Sequence, residues 1–213
     1  MTGTVTSPST VFRTVFGGFF MIRIATEKDI PQILAIYGPY VEDTTVSFEY
    51  TVPSEEAFLE RFRGITAQFP WLVWEEEGKV LGYAYGSPPY ARAAYGWCAE
   101  PSVYLAPEAH RRGIGTALYT ALEKLLALQG YQILYALVTS ENDISMRFHE
   151  KNGYRIRAEF PDCAYKFGRV LGVTWLEKRL KAVEIPSVHP VSWLSIVRNT
   201  QKLSDILDSL SLS

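Results

Sequence analysis

One stretch of the sequence, residues 103–118, constrains the fold more than any other. It reads as an apolar strand, a turn containing a proline, two arginines and two glycines, and then the start of a long apolar-periodic helix. The first N–H groups of a helix have no partner within the helix, so such a turn leaves them pointing outward. The helix dipole and the adjacent cations then favour phosphate binding. An ordinary strand-to-helix turn with solvated arginines is the alternative.

The composition indicates a folded globular chain. Of its 213 residues, 47% are hydrophobic and 21% are charged, which is unlike the composition of a disordered chain. A net charge of −2 gives no general attraction to nucleic acid, and no apolar run reaches the roughly 18 residues of a membrane span. We therefore expect neither nucleic acid nor a membrane as a partner. Two isolated cysteines and three dispersed histidines predict no metal site and a cytoplasmic location.

The order of the patterns predicts one mixed sheet with helices, an α/β (α+β) domain over residues 21–181. Alternation and apolar runs predict strands at residues 22–25, 71–74, 79–85, 97–105, 132–138, 154–160 and 172–180. Helical periodicity and capping residues predict helices at residues 30–37, 54–68 and 114–129, and a short one beginning after 140 or 142. Pro101 should interrupt its strand or mark a bulge.

The two ends of the chain lie outside this predicted domain. Residues 1–20 are rich in Ser and Thr, lack acids and contain only one cation, Arg13, so we expect a disordered N-terminal extension. Residues 182–213 contain Pro186 and Pro190, followed by a weakly amphipathic segment. This tail is either a loosely docked helix or disordered, and the pattern leaves both open.

Several side chains have the chemistry of a reactive site. Glu100 lies in the strand that leads into the phosphate turn, where burial would raise its pKa and suit it to accept a proton from an amine; an exposed glutamate is the alternative. Arg92 and Tyr95 could clamp a carboxylate, or be surface charge and packing. Asn142 and His149, seven residues apart, would share one helix face, although a helix cap and a surface histidine explain them equally well.

Together these residues resemble the GCN5-related N-acetyltransferases (GNAT), and within them the phosphinothricin acetyltransferase group. The general motif, Gln/Arg-x-x-Gly-x-Gly/Ala, is matched by residues 110–115 except at its first position and fully by residues 112–117. Further motifs of the group match residues 69–73, 91–97, 99–100, 103–105, 142–143, 149–150 and 153–154. The resemblance implies a single GNAT-like domain. Its mixed, mostly antiparallel sheet would be flanked by helices and split between its two central strands.

The same resemblance implies acetyl-CoA as the co-substrate, without a metal. The backbone of Val103, Tyr104 and Leu105 would pair with the pantetheine arm like an added strand. The residues that match the rest of the family's cofactor site are Arg111, Arg112, Gly113, Ile114, Gly115, Thr116 and Asn142.

A small amine is the acceptor that the resemblance implies. Glu100 matches the family's general base, and His149 matches a histidine near the reacting centre whose part as acid, base or orienter stays open. Arg92 and Tyr95 match positions that bind the acidic end of the acceptor, and Phe48 matches part of its pocket. The family is usually homodimeric, so a homodimer is also implied.

One position departs from the group. Phosphinothricin enzymes have a lysine where this chain has Tyr90, so methionine sulfone or sulfoximine becomes a comparably good acceptor. We expect direct transfer of acetyl, in a ternary complex, to the α-amino group of a small amino-acid analogue. The alternatives are acetylation of a protein N-terminus or a polyamine, and a catalytically silent acyl-CoA-binding module, which would need the phosphate turn but not Glu100.

Overall fold

The structure, a computed structural model, describes residues 11–15, 18–185 and 188–197. Their strands are β1 (Val11–Val15), β2 (Gly18–Ile24), β3 (Trp71–Glu76), β4 (Lys79–Ser87), β5 (Cys98–Leu105), β6 (Ile133–Thr139), β7 (Arg155–Lys166) and β8 (Arg169–Arg179). Their α-helices are α1 (Ile30–Glu42), α2 (Glu55–Thr66), α3 (Ile114–Gln129), α4 (Asp143–Lys151) and α5 (Trp193–Val197). In this part of the chain, no helix is both long enough and apolar enough to cross a membrane.

The strands form one sheet in the order β1-β2-β3-β4-β5-β6-β8-β7. Neighbouring strands are antiparallel except β5 and β6, which are parallel. These two central strands pair only at Cys98 with Ile133 and at Ala99 with Leu134. Beyond Ala99 they separate, which confirms the predicted split and divides the sheet into two halves.

Residue size alternates along β4 and separates the two faces of the first half-sheet. Tyr83 and Tyr85 stack with Trp71, their ring centroids lying 5.8 and 4.2 Å from its own, on the face where α2 packs. Gly82 faces the other way, against Leu118 of α3. Because successive residues of a strand point to opposite faces, this pattern places aromatic rings under α1 and α2 and leaves room for α3.

The predicted capping signals are present. Thr26 and Asp29 form the capping box before α1, and Ser54 Oγ accepts the N–H of Ala57, 3.2 Å away, at the start of α2. Helix α3 has the predicted bounds because its last residue is followed by Gly130 in the left-handed conformation, with φ 104°. Helix α1 is longer than predicted and reaches Glu42.

Pro101 does not interrupt β5. It pairs with Gly86 inside a ladder to β4 that runs from Glu100 to Leu105. The pairing fails on the other edge of β5, toward β6. The prediction of an interrupted strand was therefore wrong about the ladder to β4, although the sheet does open beside this proline.

The N-terminal expectation is not met for residues 11–15 and 18–20. They belong to β1 and β2, which pair as a hairpin at the sheet edge. The segments Val11–Val15 and Gly18–Ile24 are rich in β-branched and aromatic residues, which favour strands. Residues 1–10 lie outside the described residues.

The C-terminal segment is docked where it is described. The Val191 N–H donates to the Gln129 carbonyl and the Trp193 N–H to the Gln68 carbonyl, at 2.9 and 3.0 Å. Trp193 is buried in the main core. Of the two alternatives for this tail, a docked helix therefore holds for Trp193–Val197, and residues 198–213 lie outside the described residues.

Candidate active site

The split between β5 and β6 opens a cleft with a volume of about 80 Å³. Its walls come from β5, from β6 with the start of α4, and from the segment that follows α1. Five residues predicted for the site line it, namely Glu100, Val103, Tyr104, Asn142 and His149. The fold thus brings together side chains that are up to 49 positions apart in sequence.

Glu100 is half-buried in this cleft. Burial raises the pKa of its carboxyl group from 4.5 to about 7, because removal from water disfavours the charged form. Within the described part of the chain, no salt bridge to a cation offsets this effect. At neutral pH the carboxylate is therefore accessible and basic enough to accept a proton.

The upper part of β5 offers a backbone edge to the cleft. Val103, Tyr104 and Leu105 pair with β4 on one side, while their other side faces the gap where β6 has diverged. An extended ligand can hydrogen-bond to such an edge as an added strand would. Sequence reasoning missed Tyr40, whose hydroxyl donates to the Leu105 carbonyl, 2.7 Å away.

The predicted phosphate turn has two left-handed residues. Arg111 has φ 60° and Gly113 has φ 81°, and together they direct the chain into α3. Arg111, Arg112, Gly113 and Thr116 are exposed. The guanidinium of Arg112 also lies 2.7 Å from the Glu76 carboxylate, so part of its charge is neutralised.

Ile114 and Gly115 are buried beneath this turn. Ile114 belongs to the main core, and a Cβ on Gly115 would lie in van der Waals contact with Leu105 and Phe148. Only their backbone groups can face a ligand. The predicted cradle therefore consists of the exposed side chains of Arg111, Arg112 and Thr116 and of the backbone at Gly113, Ile114 and Gly115.

His149 is buried with both ring nitrogens engaged. Nδ1 lies 2.8 Å from the Ser145 carbonyl. Because a carbonyl can only accept a hydrogen bond, the hydrogen of the neutral ring is on Nδ1. Nε2, 2.9 Å from the Tyr119 hydroxyl, is then the acceptor of its hydrogen bond. Burial lowers the pKa of His149, so its imidazole is neutral at pH 7.

Tyr119 is a further residue that sequence reasoning missed. Besides facing His149, its hydroxyl lies 3.1 Å from the Pro101 carbonyl on β5, so its single hydrogen is shared between Nε2 and this carbonyl. It therefore connects α3, α4 and the strand beside the cleft. Its helical spacing predicts only a core aromatic, and no local signal indicates the hydrogen bonds.

Asn142 caps a helix, which was the alternative explanation for this residue. Its Oδ1 accepts the N–H of Ser145, 3.1 Å away, and so caps α4. It also lines the cleft. The cap and the cleft position are compatible, because the N-terminus of α4 points toward the split.

Arg92 and Tyr95 line a second, open cavity of about 640 Å³ beside the cleft, in which Cys98 also lies. Cys98 and Glu100 point to the same side of β5, about 7 Å apart by the rise of a strand, so this cavity adjoins Glu100. Both Arg92 and Tyr95 are exposed. The Tyr90 ring packs against Tyr95, with the centroids 4.3 Å apart.

Phe48 is 41% exposed and is absent from the residues that line the cleft, whereas Val46 of the same segment does line it. The two differ by two positions, so a pattern that identifies the segment does not identify which side chain faces inward. The predicted contribution of Phe48 is therefore not apparent in the cleft itself.

Comparison with known proteins supports a family assignment. The family described as "Acetyltransferase (GNAT) domain" matches residues 22–183. A phosphinothricin N-acetyltransferase of Streptomyces viridochromogenes is 37% identical over 69% of this chain and 80% of its own. An L-methionine sulfoximine/L-methionine sulfone acetyltransferase of Pseudomonas aeruginosa is 34% identical over 75% of this chain and 94% of its own.

A solved structure agrees with these relatives. The GNAT superfamily phosphinothricin acetyltransferase from Sinorhizobium meliloti, in complex with AcCoA, superimposes with a TM-score of 0.76 and is 30% identical. The match covers 80% of this chain and 95% of that one.

Proposed function

Because the chain belongs to the GNAT acetyltransferase family, we propose that it transfers acetyl from acetyl-CoA to the α-amino group of a small amino-acid-like acceptor. The observation that carries this proposal is Glu100, a carboxyl group with a pKa of about 7 at the split of the sheet. The names of the relatives, phosphinothricin and methionine sulfoximine/sulfone acetyltransferases, support this acceptor class. Phosphinothricin, methionine sulfone and methionine sulfoximine all belong to this class, and Tyr90 in place of a lysine favours the last two.

Glu100 is the proposed general base. It takes a proton from the acceptor ammonium, directly or through a water, and the freed amine attacks the thioester carbonyl within a ternary complex. The new C–N bond forms as the C–S bond breaks. The nitrogen then loses a second proton, which passes to the sulfur, and coenzyme A leaves as its thiol. A backbone N–H at the open edge of β5 stabilises the developing negative charge on the carbonyl oxygen.

Acetyl-CoA is bound along the open edge of β5 and at the start of α3. The backbone of Val103, Tyr104 and Leu105 pairs with the pantetheine arm. The pyrophosphate is bound by the exposed side chains of Arg111, Arg112 and Thr116, by the turn at Gly113, and by the backbone N–H groups of Ile114 and Gly115. Asn142 contributes farther along the cleft.

For His149 we propose an orienting role. Its imidazole is neutral and Nε2 already accepts from Tyr119, so it has no proton positioned for donation to a leaving group. A fixed, neutral ring can instead hold α4 against β5 through Tyr119. Of the three parts left open by the sequence, this is the one that the hydrogen bonds support.

Arg92 and Tyr95 are proposed to bind the anionic end of the acceptor, with Phe48 at the outer edge of its pocket. Their exposure supports this role, because neither side chain is used by a salt bridge in the described part of the chain. Tyr90 lies 5.6 Å from Trp175, centroid to centroid. An aromatic wall in place of a lysine suits a sulfone or sulfoximine side chain better than a second anion.

We expect Arg92→Ala to raise the KM for an anionic amino-acid acceptor about 10- to 100-fold, because a charge-assisted hydrogen bond contributes roughly 1.5–3 kcal/mol. The KM for acetyl-CoA should change less than twofold. Steady-state kinetics with each substrate varied in turn measures both. Arg155→Ala, which removes an exposed cation of β7, is the matched control. A rise in the KM for acetyl-CoA instead would show that Arg92 serves the donor.

We also propose a homodimer. Phe160 of the second half-sheet is 47% exposed, and its ring centroid lies 5.9 Å from that of the half-buried Trp175. An apolar sheet face of this kind marks an association surface. Light scattering should give about twice the chain mass of 24.1 kDa; a monomer at micromolar concentration would contradict the proposal.

A cytoplasmic location is proposed from the cysteines. Cys98 and Cys163 are both free, and unpaired thiols persist best in a reducing compartment.

The proposed acceptor class is tested by following thiol release from acetyl-CoA with phosphinothricin, methionine sulfone, methionine sulfoximine, free amino acids, spermidine and a short peptide. We expect turnover with the amino-acid analogues. Turnover only with the peptide or spermidine would favour acetylation of a protein N-terminus or a polyamine. No turnover at all, with acetyl-CoA still bound, would identify a silent acyl-CoA-binding module.

A further inference from the structure

Lys166, the last residue of β7, is only 2% exposed, which is rare for a lysine. Its ammonium donates to three backbone carbonyls, those of Val41, Thr44 and Ser47, at 2.7, 2.8 and 2.6 Å. An ammonium has three N–H donors, and all three are used. The three acceptors lie at the end of α1 and in the segment that follows it.

This segment, residues 43–50, runs from α1 to the second half-sheet and so crosses the cleft. Val46 lines the same cleft as Glu100. At one point the Thr139 hydroxyl donates to the Thr45 carbonyl, 2.5 Å away. At another the Tyr50 hydroxyl donates to the Tyr165 carbonyl, 2.6 Å away. Lys166 lies at the centre of these attachments.

The charge of Lys166 is compensated by the three carbonyls and by the Phe167 ring, whose centroid lies 4.8 Å from Nζ, and, in the part of the chain that the structure describes, not by an ion pair. Among the described residues no carboxylate forms a salt bridge with it, and Glu49 contributes only a Coulombic interaction. Burial accordingly lowers the pKa of Lys166. An apolar side chain would fill the same space without this desolvation cost, so the lysine is suited to fixing the three carbonyls rather than to filling space.

We propose that Lys166 is a positioning residue for the acceptor. By gathering three carbonyls of residues 41–47, it holds the segment at one distance from β5 and so sets the width of the cleft between Val46 and Glu100. It touches neither substrate. The inference rests on the proposed function, since it assigns this wall to the acceptor rather than to acetyl-CoA.

Lys166→Met tests this role, because Met retains the apolar stem but has no N–H to donate. We expect the acceptor KM to rise about fivefold or more while the acetyl-CoA KM changes less than twofold, since ground-state contacts to the acceptor are what the variant loses. Amide hydrogen exchange should accelerate in residues 43–50 and not in α3. Lys166→Arg, which keeps cationic donors, should fall between Met and the wild type.

Arg157→Met is the matched control, because it removes an exposed cation of the same strand and should change neither KM. Among the described residues, Arg157 forms a salt bridge only with Glu177. Faster exchange in Lys166→Met with an unchanged acceptor KM would overturn the proposal and leave a purely structural lysine. So would an equal rise in both KM values. A wild-type protein without turnover would contradict the proposed function instead. Even then, amide exchange that stays unchanged in residues 43–50 of Lys166→Met would show that Lys166 does not fix this segment.

Discussion

Glu100→Gln should lower kcat/KM for the acceptor by about 10²–10⁴, the usual contribution of a general base. The amide has nearly the same shape, so the acetyl-CoA KM should change less than twofold. In the wild type, kcat/KM should rise with pH through an apparent pKa of about 7, because only the carboxylate accepts a proton. In Glu100→Gln, this rise of kcat/KM with pH should be absent. Full activity in Glu100→Gln would remove the base assignment.

The free energy of unfolding of Glu100→Gln, compared with that of the wild type, should depend on pH. The folded-state pKa of about 7 lies above the ordinary 4.5. The stability linked to Glu100 is therefore fully present below about pH 4.5 and is lost as the pH rises through about 7. Glu100→Gln should thus be more stable than the wild type at pH 8, by up to about 3 kcal/mol.

Urea unfolding at two pH values measures this difference. At pH 5 the advantage of the variant should shrink below about 1 kcal/mol, since little of the linked stability has yet been lost. Partial solvent access to the carboxyl group reduces both values. An equal difference at pH 5 and pH 8 would show that the carboxyl group is not destabilised by burial in the folded state.

Gly113→Val should weaken acetyl-CoA binding about 10- to 100-fold. Gly113 has φ 81°, a conformation that costs a residue with a side chain roughly 1–2 kcal/mol and a β-branched one more. The valine side chain would also project from the exposed turn where the pyrophosphate is proposed to bind. Calorimetric titration with acetyl-CoA measures the loss of affinity.

Gly78→Val controls for backbone strain. Gly78 has φ 82°, and an added Cβ there meets no atom within 4 Å, as at Gly113. It lies in the β3–β4 hairpin, away from the start of α3. Both variants should lose similar stability, but only Gly113→Val should lose acetyl-CoA affinity. Equal affinities would show that the turn does not bind the cofactor.

The sequence predicts most of the fold because its signals are local. The bounds of α3 follow from Gly113 and Gly130, and the hairpin between β3 and β4 follows from Glu77 and Gly78. The sequence does not predict the N-terminal strands, because a segment rich in Ser and Thr and without acids is also typical of a disordered extension. Strand β5 continues through Pro101 because its paired edge faces β4. The composition of the strand does not reveal which of its two edges is paired.

The family motifs include five residues that line the cleft, but they do not reveal the long-range contacts around them. The burial that raises the pKa of Glu100 was predicted, whereas the burial and the hydrogen bonds of His149 were not. Tyr119 meets His149 across 30 positions, and Lys166 meets Val41 across 125. Such hydrogen bonds arise only when separate elements pack, and no spacing in the sequence encodes them.

Mass spectrometry of the products formed from acetyl-CoA and methionine sulfone tests the proposed reaction most directly. We expect N-acetylmethionine sulfone and free coenzyme A in equal amounts, and neither with Glu100→Gln over the same time. Coenzyme A released without an acetylated amine, or acetyl found only on a peptide or a polyamine, would contradict N-acetylation of a small amino-acid-like acceptor.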